Sequence, residues 1–126
     1  MILGIGIDLC AVARMENSLQ KPAFAARVFA PQEQAFWQDF SDKRRAESAA
    51  AAFAAKEAFL KAAGTGLREP FSLCEIEAVR QENGAPAYRF SGRTAEWVQA
   101  RSLTARLSLS HEGGMALAFC TLEMET

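Results

Sequence analysis

The sequence has 126 residues, of which 50% are hydrophobic, so it is long and apolar enough for one domain with a packed core and is unlike a disordered chain. The formal net charge of −1 excludes a general electrostatic attraction to nucleic acid or anionic lipid, and any site for a polyanion must therefore be local. We expect a single domain over residues 1–126, with neither nucleic acid nor a membrane as a partner.

The first segment and the cysteines indicate the compartment. The opening M-I-L-G-I-G-I is apolar, but it has no basic region and reaches Asp8 too early for a signal peptide. No apolar run approaches the roughly 20 residues of a membrane span. Cys10, Cys74 and Cys120 are odd in number and lack the spacing of a metal site, as expected for reduced, buried thiols. These features predict a soluble, cytoplasmic protein.

Residues Ile2 to Leu9 are predicted to form a strand, because isoleucines occupy alternate positions of a short apolar run. Gly4 and Gly6 alternate with them and leave one face of the strand bare, which allows another backbone or a ligand to approach closely. Asp8 is in phase with these glycines at the end of the strand. It is either the N-cap of the next helix or a ligand at that face.

Three helices are predicted to follow this strand. The first covers Ala11 to Leu19, and a short one begins at Pro31, which suits the first helical turn. A long, alanine-rich helix comes next, with Lys43, Arg44 and Arg45 near its start. Cations in a first turn oppose the helix dipole, so we interpret this basic cluster as a site for something anionic.

The long helix is predicted to begin at a cap of Ser41 or Asp42 and to end at Gly64, which takes the left-handed conformation without a Cβ penalty. At 100° per residue, six of its apolar residues fall on one arc. They are Ala49, Ala52, Phe53, Phe59, Leu60 and Ala63.

Three charged residues lie on or near this arc. Glu57 and Lys61 are four positions apart at its edge, which is the spacing of a surface ion pair. Lys56 projects inside the arc and must reach water, find a partner or face a cleft. We expect its charge to serve activity more than packing, so that Lys56→Met keeps the fold and lowers activity.

The second half of the chain is predicted to contain two hairpins separated by a helix. The first hairpin joins Ser72 to Arg80 with Ala87 to Phe90 through a turn at Asn83-Gly84. The helix covers Gly92 to Ala100. Residues 103–110 alternate apolar and polar side chains up to His111, and the chain returns after Gly113-Gly114 as a strand over Met115 to Leu122. The order of elements predicts an α+β fold, with a mostly antiparallel sheet packed against the long helix.

Four motifs, in this order, resemble those of the holo-acyl-carrier-protein synthases, the small bacterial family of 4′-phosphopantetheinyl transferases. They are I-L-G-I-G-I-D up to Asp8, F-A-A-K-E-A with Lys61 and G-T-G after it, N-G-A-P, and S-L-S-H ending at His111. The resemblance spans nearly the whole chain. It implies transfer of the 4′-phosphopantetheine arm of coenzyme A to a serine of apo-acyl carrier protein, with release of 3′,5′-ADP.

The resemblance also implies Mg²⁺ and a homotrimer with active sites between subunits. Mg²⁺ prefers oxygen ligands, and Asp8 and Glu57 supply two carboxylates if the long helix packs over the glycine face of the strand. By resemblance these two residues are the metal ligands. Glu57 is also the base for the serine, directly or through a metal-bound water, and Lys61 neutralises charge on the diphosphate.

The remaining residues that the resemblance assigns contact the rest of coenzyme A or the carrier protein. Those assigned to coenzyme A are Lys43, Arg45, Lys61, Gly64, Pro86 and His111. Within this set, Lys43 and Arg45 reach the 3′-phosphate, with Arg44 as a further cation, while Pro86 packs on adenine and His111 lies near the adenosine. Arg14 meets the acidic helix of the carrier protein.

This chain departs from the family pattern in three places. Ala52 stands where the family often has arginine, and Ala85 stands where lysine is usual, so two cations for coenzyme A are missing. E-G-G follows His111 in place of more typical polar residues. Two alternatives remain open: a catalytically weak relative that binds coenzyme A or a carrier protein, and an α+β interaction domain without a small ligand. The second alternative predicts that the assigned site residues do not meet.

Overall fold

The computed structural model describes residues 1–124, which form five strands and five α-helices. The strands are β1 (Ile2–Ala11), β2 (Ile76–Arg80), β3 (Pro86–Phe90), β4 (Leu103–Glu112) and β5 (Met115–Met124). The helices are α1 (Val12–Leu19), α2 (Pro22–Val28), α3 (Pro31–Trp37), α4 (Asp42–Ala63) and α5 (Gly92–Ala100). The predicted α+β class is confirmed.

The strands form two antiparallel sheets, one with the order β1-β5-β4 and one made of β2 and β3. The hairpin of β4 and β5 pairs as the alternation predicted, with Leu109 opposite Ala118 and His111 opposite Ala116. On its other edge β5 pairs with β1, which puts Asp8 opposite Ala118. The last strand therefore lies in the middle of the sheet and joins the two regions that carry Asp8 and His111.

The bare glycine face of β1 packs directly on α4. A Cβ atom on Gly4 would lie 2.0 Å from the carbonyl oxygen of Ala62, and one on Gly6 would lie 1.9 Å from that of Ala58. Both distances are far below van der Waals contact, so only glycine fits. Gly4 contacts Ala62, and Gly6, further along the strand, contacts Ala58, which lies one helical turn earlier in α4. The strand and the helix therefore run in opposite directions. Asp8, two residues after Gly6, lies beside the turn of α4 that precedes Ala58.

Helix α4 is buried on more sides than the predicted apolar arc. Six alanines outside that arc are buried: Ala46, Ala50, Ala54, Ala55, Ala58 and Ala62. Phe53 and Ala63, which belong to the arc, are only half-buried. The prediction is too narrow because the three-stranded sheet, α1 and β2 all pack on this helix, and small side chains allow each of them to approach its backbone.

Both predicted ends of α4 are confirmed. Ser41 is the N-cap, and its hydroxyl accepts a hydrogen bond from the backbone N–H of Arg44 at 3.2 Å. Gly64 ends the helix in the left-handed region, with φ of 79°. These two ends are set by local chemistry, because a side-chain oxygen satisfies a free N–H and a missing Cβ permits positive φ.

Two other boundaries differ from the predictions. Asp8 is not an N-cap, since β1 continues to Ala11 and it is Ala11 that precedes α1. The strand predicted from Ser72 begins only at Ile76, because Leu73–Glu75 forms one turn of 3₁₀ helix. In both cases the local sequence does not define the boundary of the strand, and contacts with distant residues set it.

The three cysteines are free thiols, and Cys10 and Cys120 are buried, while Cys74 is half-buried. Burial raises the pKa of Cys10 and raises that of Cys120 to about 11.

Among residues 1–124, no helix has the length and apolar character needed to cross a membrane.

Gly6→Ala is expected to lower the free energy of unfolding by about 3 kcal/mol, because the new methyl group would push β1 away from α4. Urea denaturation followed by circular dichroism measures this loss. Gly113→Ala is the matched control, since Gly113 has φ of 58° but a Cβ added there would meet open space. Its cost should be about 1 kcal/mol, and equal losses at the two positions would contradict the close approach at Gly6.

Candidate active site

The carboxylate of Asp8 and the ammonium of Lys61 form an ion pair where β1 passes α4. Lys61 Nζ lies 3.1 Å from Asp8 Oδ1 and donates to the carbonyl oxygen of Ile7 at 2.9 Å. The Asp8 side chain is 18% exposed and that of Lys61 is 55% exposed, so the acid is mostly buried while the ammonium is accessible to solvent. Lys61 therefore pairs with the strand, and the surface pair with Glu57 that the spacing suggested is not formed among the described residues.

Glu57 completes this cluster from α4. Burial raises the pKa of Glu57 above its usual value of 4.5, the Asp8 carboxylate raises it further, and the Lys61 ammonium opposes both effects. The three side chains therefore share one electrostatic environment. Because the Asp8 charge disfavours ionisation of Glu57, a cation bound beside these two acids would be favoured. The meeting of these residues argues against a plain interaction domain.

The oxygen atoms of this cluster fit Mg²⁺. Two carboxylates and the Ile7 carbonyl are the hard donors that this ion prefers, and Mg²⁺ commonly completes its shell with waters and substrate phosphates. The position of the Lys61 ammonium shows that a cation is accommodated beside Asp8 Oδ1 and Ile7 O. Within residues 1–124 there is no group of three or more His, Cys, Asp or Glu that could hold a metal.

His111 lies on the same face of the sheet as Asp8, on the other side of β5. Directly paired residues point to the same side of a sheet, so Asp8 shares a face with Ala118, and His111 shares it with Ala116. Strand spacing and rise per residue put the Cα atoms of Asp8 and His111 roughly 12 Å apart. His111 is thus near the ion-pair cluster but is not part of it.

A groove of about 410 Å³ opens beside His111, between α4, the end of α3 and the turn that joins β4 to β5. Its lining residues include the charged Arg44, Glu47, Arg80 and Glu112, together with the imidazole of His111. Phe36 and Phe40 form an aromatic wall with ring centroids 5.4 Å apart, and the Arg44 guanidinium lies 3.8 Å from the centre of the Phe40 ring. A second groove of about 300 Å³ borders the first and shares Phe36 and Arg80 with it.

The three cations of the predicted basic cluster have different surroundings. Arg45 donates to three carbonyl oxygens at the end of α3 and pairs with Asp42 at 3.0 Å. Those carbonyls belong to Trp37, Gln38 and Phe40. A helix C-terminus attracts cations, so Arg45 is already occupied by the chain's own carbonyl groups and by the Asp42 carboxylate. Arg44 lines the groove, whereas Lys43 is exposed outside its lining.

The other assigned residues lie at the edges of this region. Pro86 begins β3 opposite Arg80, at the base of the Asn83-Gly84 turn. Gly64 ends α4, three residues after Lys61. Arg14 is exposed on α1 and close enough to Cys10 to oppose the rise in the pKa of that thiol. The structure therefore places Arg14 near the end of β1 that carries Asp8.

Lys56 does not face a cleft, because its side chain is fully buried. Its Nζ lies 2.6 Å from Glu33 Oε1 and donates to the carbonyl oxygens of Leu73 and Ile76 at 2.9 and 2.5 Å. Burial lowers the pKa of Lys56, and the Glu33 carboxylate opposes this effect. The structure argues against the expectation that Lys56→Met keeps the fold, since the substitution would leave Glu33 as a buried, unpaired charge.

Sequence reasoning missed Glu33 as the partner of Lys56. The only local signal was an acid in the first turn of α3, where its carboxylate accepts a hydrogen bond from the backbone N–H of Ala30 at 3.0 Å. That signal indicates an ordinary helix start. Nothing in the spacing of Glu33 and Lys56, 23 residues apart, indicates that they meet.

Known proteins share both the sequence and the fold. A sequence model of the 4′-phosphopantetheinyl transferase superfamily matches residues 4–120. A holo-[acyl-carrier-protein] synthase of Trichlorobacter lovleyi is 43% identical over 126 residues, covering 98% of each chain. A crystal structure of a holo-(acyl-carrier-protein) synthase from Bacillus anthracis, in complex with CoA (3′,5′-ADP), has a TM-score of 0.85 at 33% identity, covering 99% of each chain. The Plasmodium yoelii holo-ACP-synthase has a TM-score of 0.87 at 27% identity, covering 100% of this chain and 98% of that one.

The site combines two acids and a lysine from a strand and a helix, and the fold matches known synthases over nearly the whole chain. Together they define an enzyme of the phosphopantetheinyl-transfer class. The chain belongs to the 4′-phosphopantetheinyl transferase superfamily and, within it, to the holo-[acyl-carrier-protein] synthases. The resemblance stated from the four sequence motifs is confirmed.

Asp8→Asn is expected to lower the pKa of Glu57 and Lys61→Met to raise it, because each substitution removes one of the charges that shift it. Carboxyl ¹³C NMR titration of metal-free protein measures both changes. The raised pKa means that the folded state binds more protons just above pH 4.5, so this group's contribution to stability falls as pH rises through that window.

Asp39→Asn is the control for this titration, since Asp39 precedes α4 and lies more than four helical turns from Glu57. It should leave the pKa of Glu57 unchanged. A pKa that is also unchanged in Asp8→Asn would show that the two acids do not share one site.

Proposed function

We propose that this enzyme transfers the 4′-phosphopantetheine group of coenzyme A to a serine of apo-acyl carrier protein and releases 3′,5′-ADP. The observation that carries the proposal is the meeting of Asp8, Glu57 and Lys61 where the glycine face of β1 packs on α4. Full-length similarity to holo-[acyl-carrier-protein] synthases supports the same reaction. We further propose that residues 1–126 act as one domain in the cytoplasm, which the free thiols of the three cysteines support.

The reaction forms a bond between the serine oxygen and the phosphorus that carries pantetheine, and it breaks the bond from that phosphorus to the oxygen of the leaving 3′,5′-ADP. Asp8 and Glu57 would hold Mg²⁺, which when bound neutralises charge on the diphosphate. Glu57 accepts the serine proton, directly or through a bound water. Lys61, whose ammonium is exposed beside Asp8, offers a second positive charge to the diphosphate.

The nucleotide end of coenzyme A is proposed to bind along the groove beside His111. The aromatic wall of Phe36 and Phe40 suits a base, and Arg44 at this wall suits a phosphate. The assignments of Lys43, Arg45, Gly64 and Pro86 to coenzyme A stay proposals. Among the basic cluster, the structure favours Arg44, because Arg45 would have to give up its carbonyl partners.

The carrier protein is proposed to dock at the end of β1 and α1. Arg14 is exposed there and lies within electrostatic reach of Cys10, two residues after Asp8. A cation beside the cluster of Asp8, Glu57 and Lys61 would attract an acidic partner and guide its serine toward Glu57.

We propose that the enzyme is a homotrimer, as the resemblance implied. Four large apolar side chains are exposed on the face of the sheet that points away from α4: Ile5 (61%), Ile7 (54%), Leu9 (60%) and Phe119 (41%). Contiguous exposed apolar surface of this kind marks an interaction site. Ile7 and Leu9 flank Asp8 in β1, so a neighbouring subunit on this face would border the site, which supports active sites between subunits.

Glu57→Ala is expected to lower transfer by about 100-fold or more, since both a metal ligand and the proposed base are lost. Thermal stability should stay close to that of the wild type, because burial already disfavours this carboxylate in the folded state. Mass spectrometry of apo-carrier protein incubated with coenzyme A, Mg²⁺ and enzyme measures the gain of phosphopantetheine, and EDTA should prevent it. Glu96→Ala, which removes an exposed acid of α5, should keep full activity, and unchanged transfer by Glu57→Ala would overturn the assigned role.

Ile7→Lys is expected to convert a trimer into monomers, because it puts a charge in the middle of the exposed apolar face, opposite Phe119. Size-exclusion chromatography with light scattering distinguishes the mass of three chains from that of one. Leu67→Lys is the matched control, since Leu67 is 57% exposed but lies in the loop after α4. A wild type with the mass of one chain, or dissociation by Leu67→Lys as well, would contradict this interface.

A further inference from the structure

The Glu33–Lys56 ion pair occupies the edge of β2 that faces away from β3. Lys56 Nζ donates to the carbonyl oxygen of Ile76, and Glu33 Oε2 accepts a hydrogen bond from the backbone N–H of Ala78 at 3.2 Å. An adjacent strand would offer the same donor and acceptor to these two peptide groups. The ion pair thus takes the place of a third strand and fixes the position of the hairpin formed by β2 and β3.

The other strand of this hairpin is held by the same turn of α4. The hydroxyl of Tyr88 donates to the carbonyl oxygen of Ala55 at 2.6 Å, and the Phe59 ring lies 4.8 Å from Phe90 and 5.9 Å from Tyr88 between ring centroids. Residues 55 and 56 therefore hold β3 and β2, and the next residue is Glu57. One helical turn carries both the attachment of the hairpin and the proposed base.

The far end of the hairpin contributes to both grooves. Arg80, the last residue of β2, lines each of them, and Pro86 is paired with it across the turn. The turn itself is closed by hydrogen bonds, including one from Arg80 Nη1 to the carbonyl oxygen of Gly84 at 3.3 Å. Because these hydrogen bonds tie the turn to the end of β2, a shift of the hairpin at its base would move Arg80 and Pro86 relative to α4 and change the width of the grooves.

We propose that Glu33, Lys56 and Tyr88 are positioning residues for coenzyme A. They hold the β2–β3 hairpin at a fixed distance from the helical turn of Glu57, and so they set the groove in which the nucleotide end binds while the diphosphate meets the metal site. This inference rests on the proposed function. None of the three residues lines the groove beside His111 that is proposed for the nucleotide end, so their loss should weaken binding of coenzyme A without changing the ion-pair cluster of Asp8 and Lys61.

Two variants test this role. Tyr88→Phe removes one hydroxyl and keeps the ring packing, and Glu33→Gln keeps the shape but presents a donor to either Lys56 or the Ala78 amide. We expect the Kd for coenzyme A, measured by calorimetry with Mg²⁺, to rise about threefold in Tyr88→Phe and about tenfold in Glu33→Gln. The KM for coenzyme A should rise in parallel, while Mn²⁺ affinity and the KM for carrier protein stay within about twofold. Hydrogen exchange of the Ala78 amide should accelerate in Glu33→Gln.

Val98→Ala is the control for lost stability alone, since Val98 is buried in α5 and makes no part of this attachment. It should lower Tm yet leave the Kd for coenzyme A unchanged. If Glu33→Gln does not fold, the Kd of Tyr88→Phe for coenzyme A still tests the positioning role. Wild-type affinity in Tyr88→Phe, or equal weakening by Val98→Ala, would overturn the positioning role while leaving the reaction intact. Absence of coenzyme A binding by the wild type would instead overturn the proposed function, and this role with it.

Discussion

The contact between the glycines of β1 and the backbone of α4 determines where the acids of the site lie. Gly4 and Gly6 allow the strand to touch the carbonyl groups of Ala62 and Ala58. The positions of these two glycines fix both the register and the separation of the two elements. Asp8 then falls beside the turn of Glu57 with no further adjustment. Asp8 and Glu57, far apart in sequence, are therefore brought together by close packing of backbone on backbone, which leaves little freedom in the distance between β1 and α4.

Three cationic residues of the long helix, Arg45, Lys56 and Lys61, use their charge in different ways. Arg45 interacts with the C-terminal end of a neighbouring helix, Lys56 is enclosed with the Glu33 carboxylate, and Lys61 reaches from the helix to the Asp8 carboxylate of β1. Only the last stays accessible to a substrate. The sequence presents all three as cations on one helix, and the difference arises from what packs against each position.

Much of the local structure was predictable because local chemistry decides it. Ser41 and Gly64 mark the ends of α4, and alternation in residues 103–110 marks β4. The bare face created by Gly4 and Gly6 even indicated which side of β1 receives the helix. The partner of Lys56, the separate roles of Arg44 and Arg45, and the true width of the buried surface of α4 were not predictable. Each depends on elements distant in sequence, and no periodicity within one segment records them.

Buried ion pairs can often be exchanged for apolar residues of similar volume without loss of stability. The Glu33–Lys56 pair differs, since its atoms also satisfy peptide groups of Leu73, Ile76 and Ala78. An apolar pair would fill the same space but leave those groups desolvated, at a cost of about 1–3 kcal/mol each. A purely hydrophobic interior at this place would therefore require the edge of β2 to be rebuilt as well, and substitutions at positions 33 and 56 are not additive in free energy.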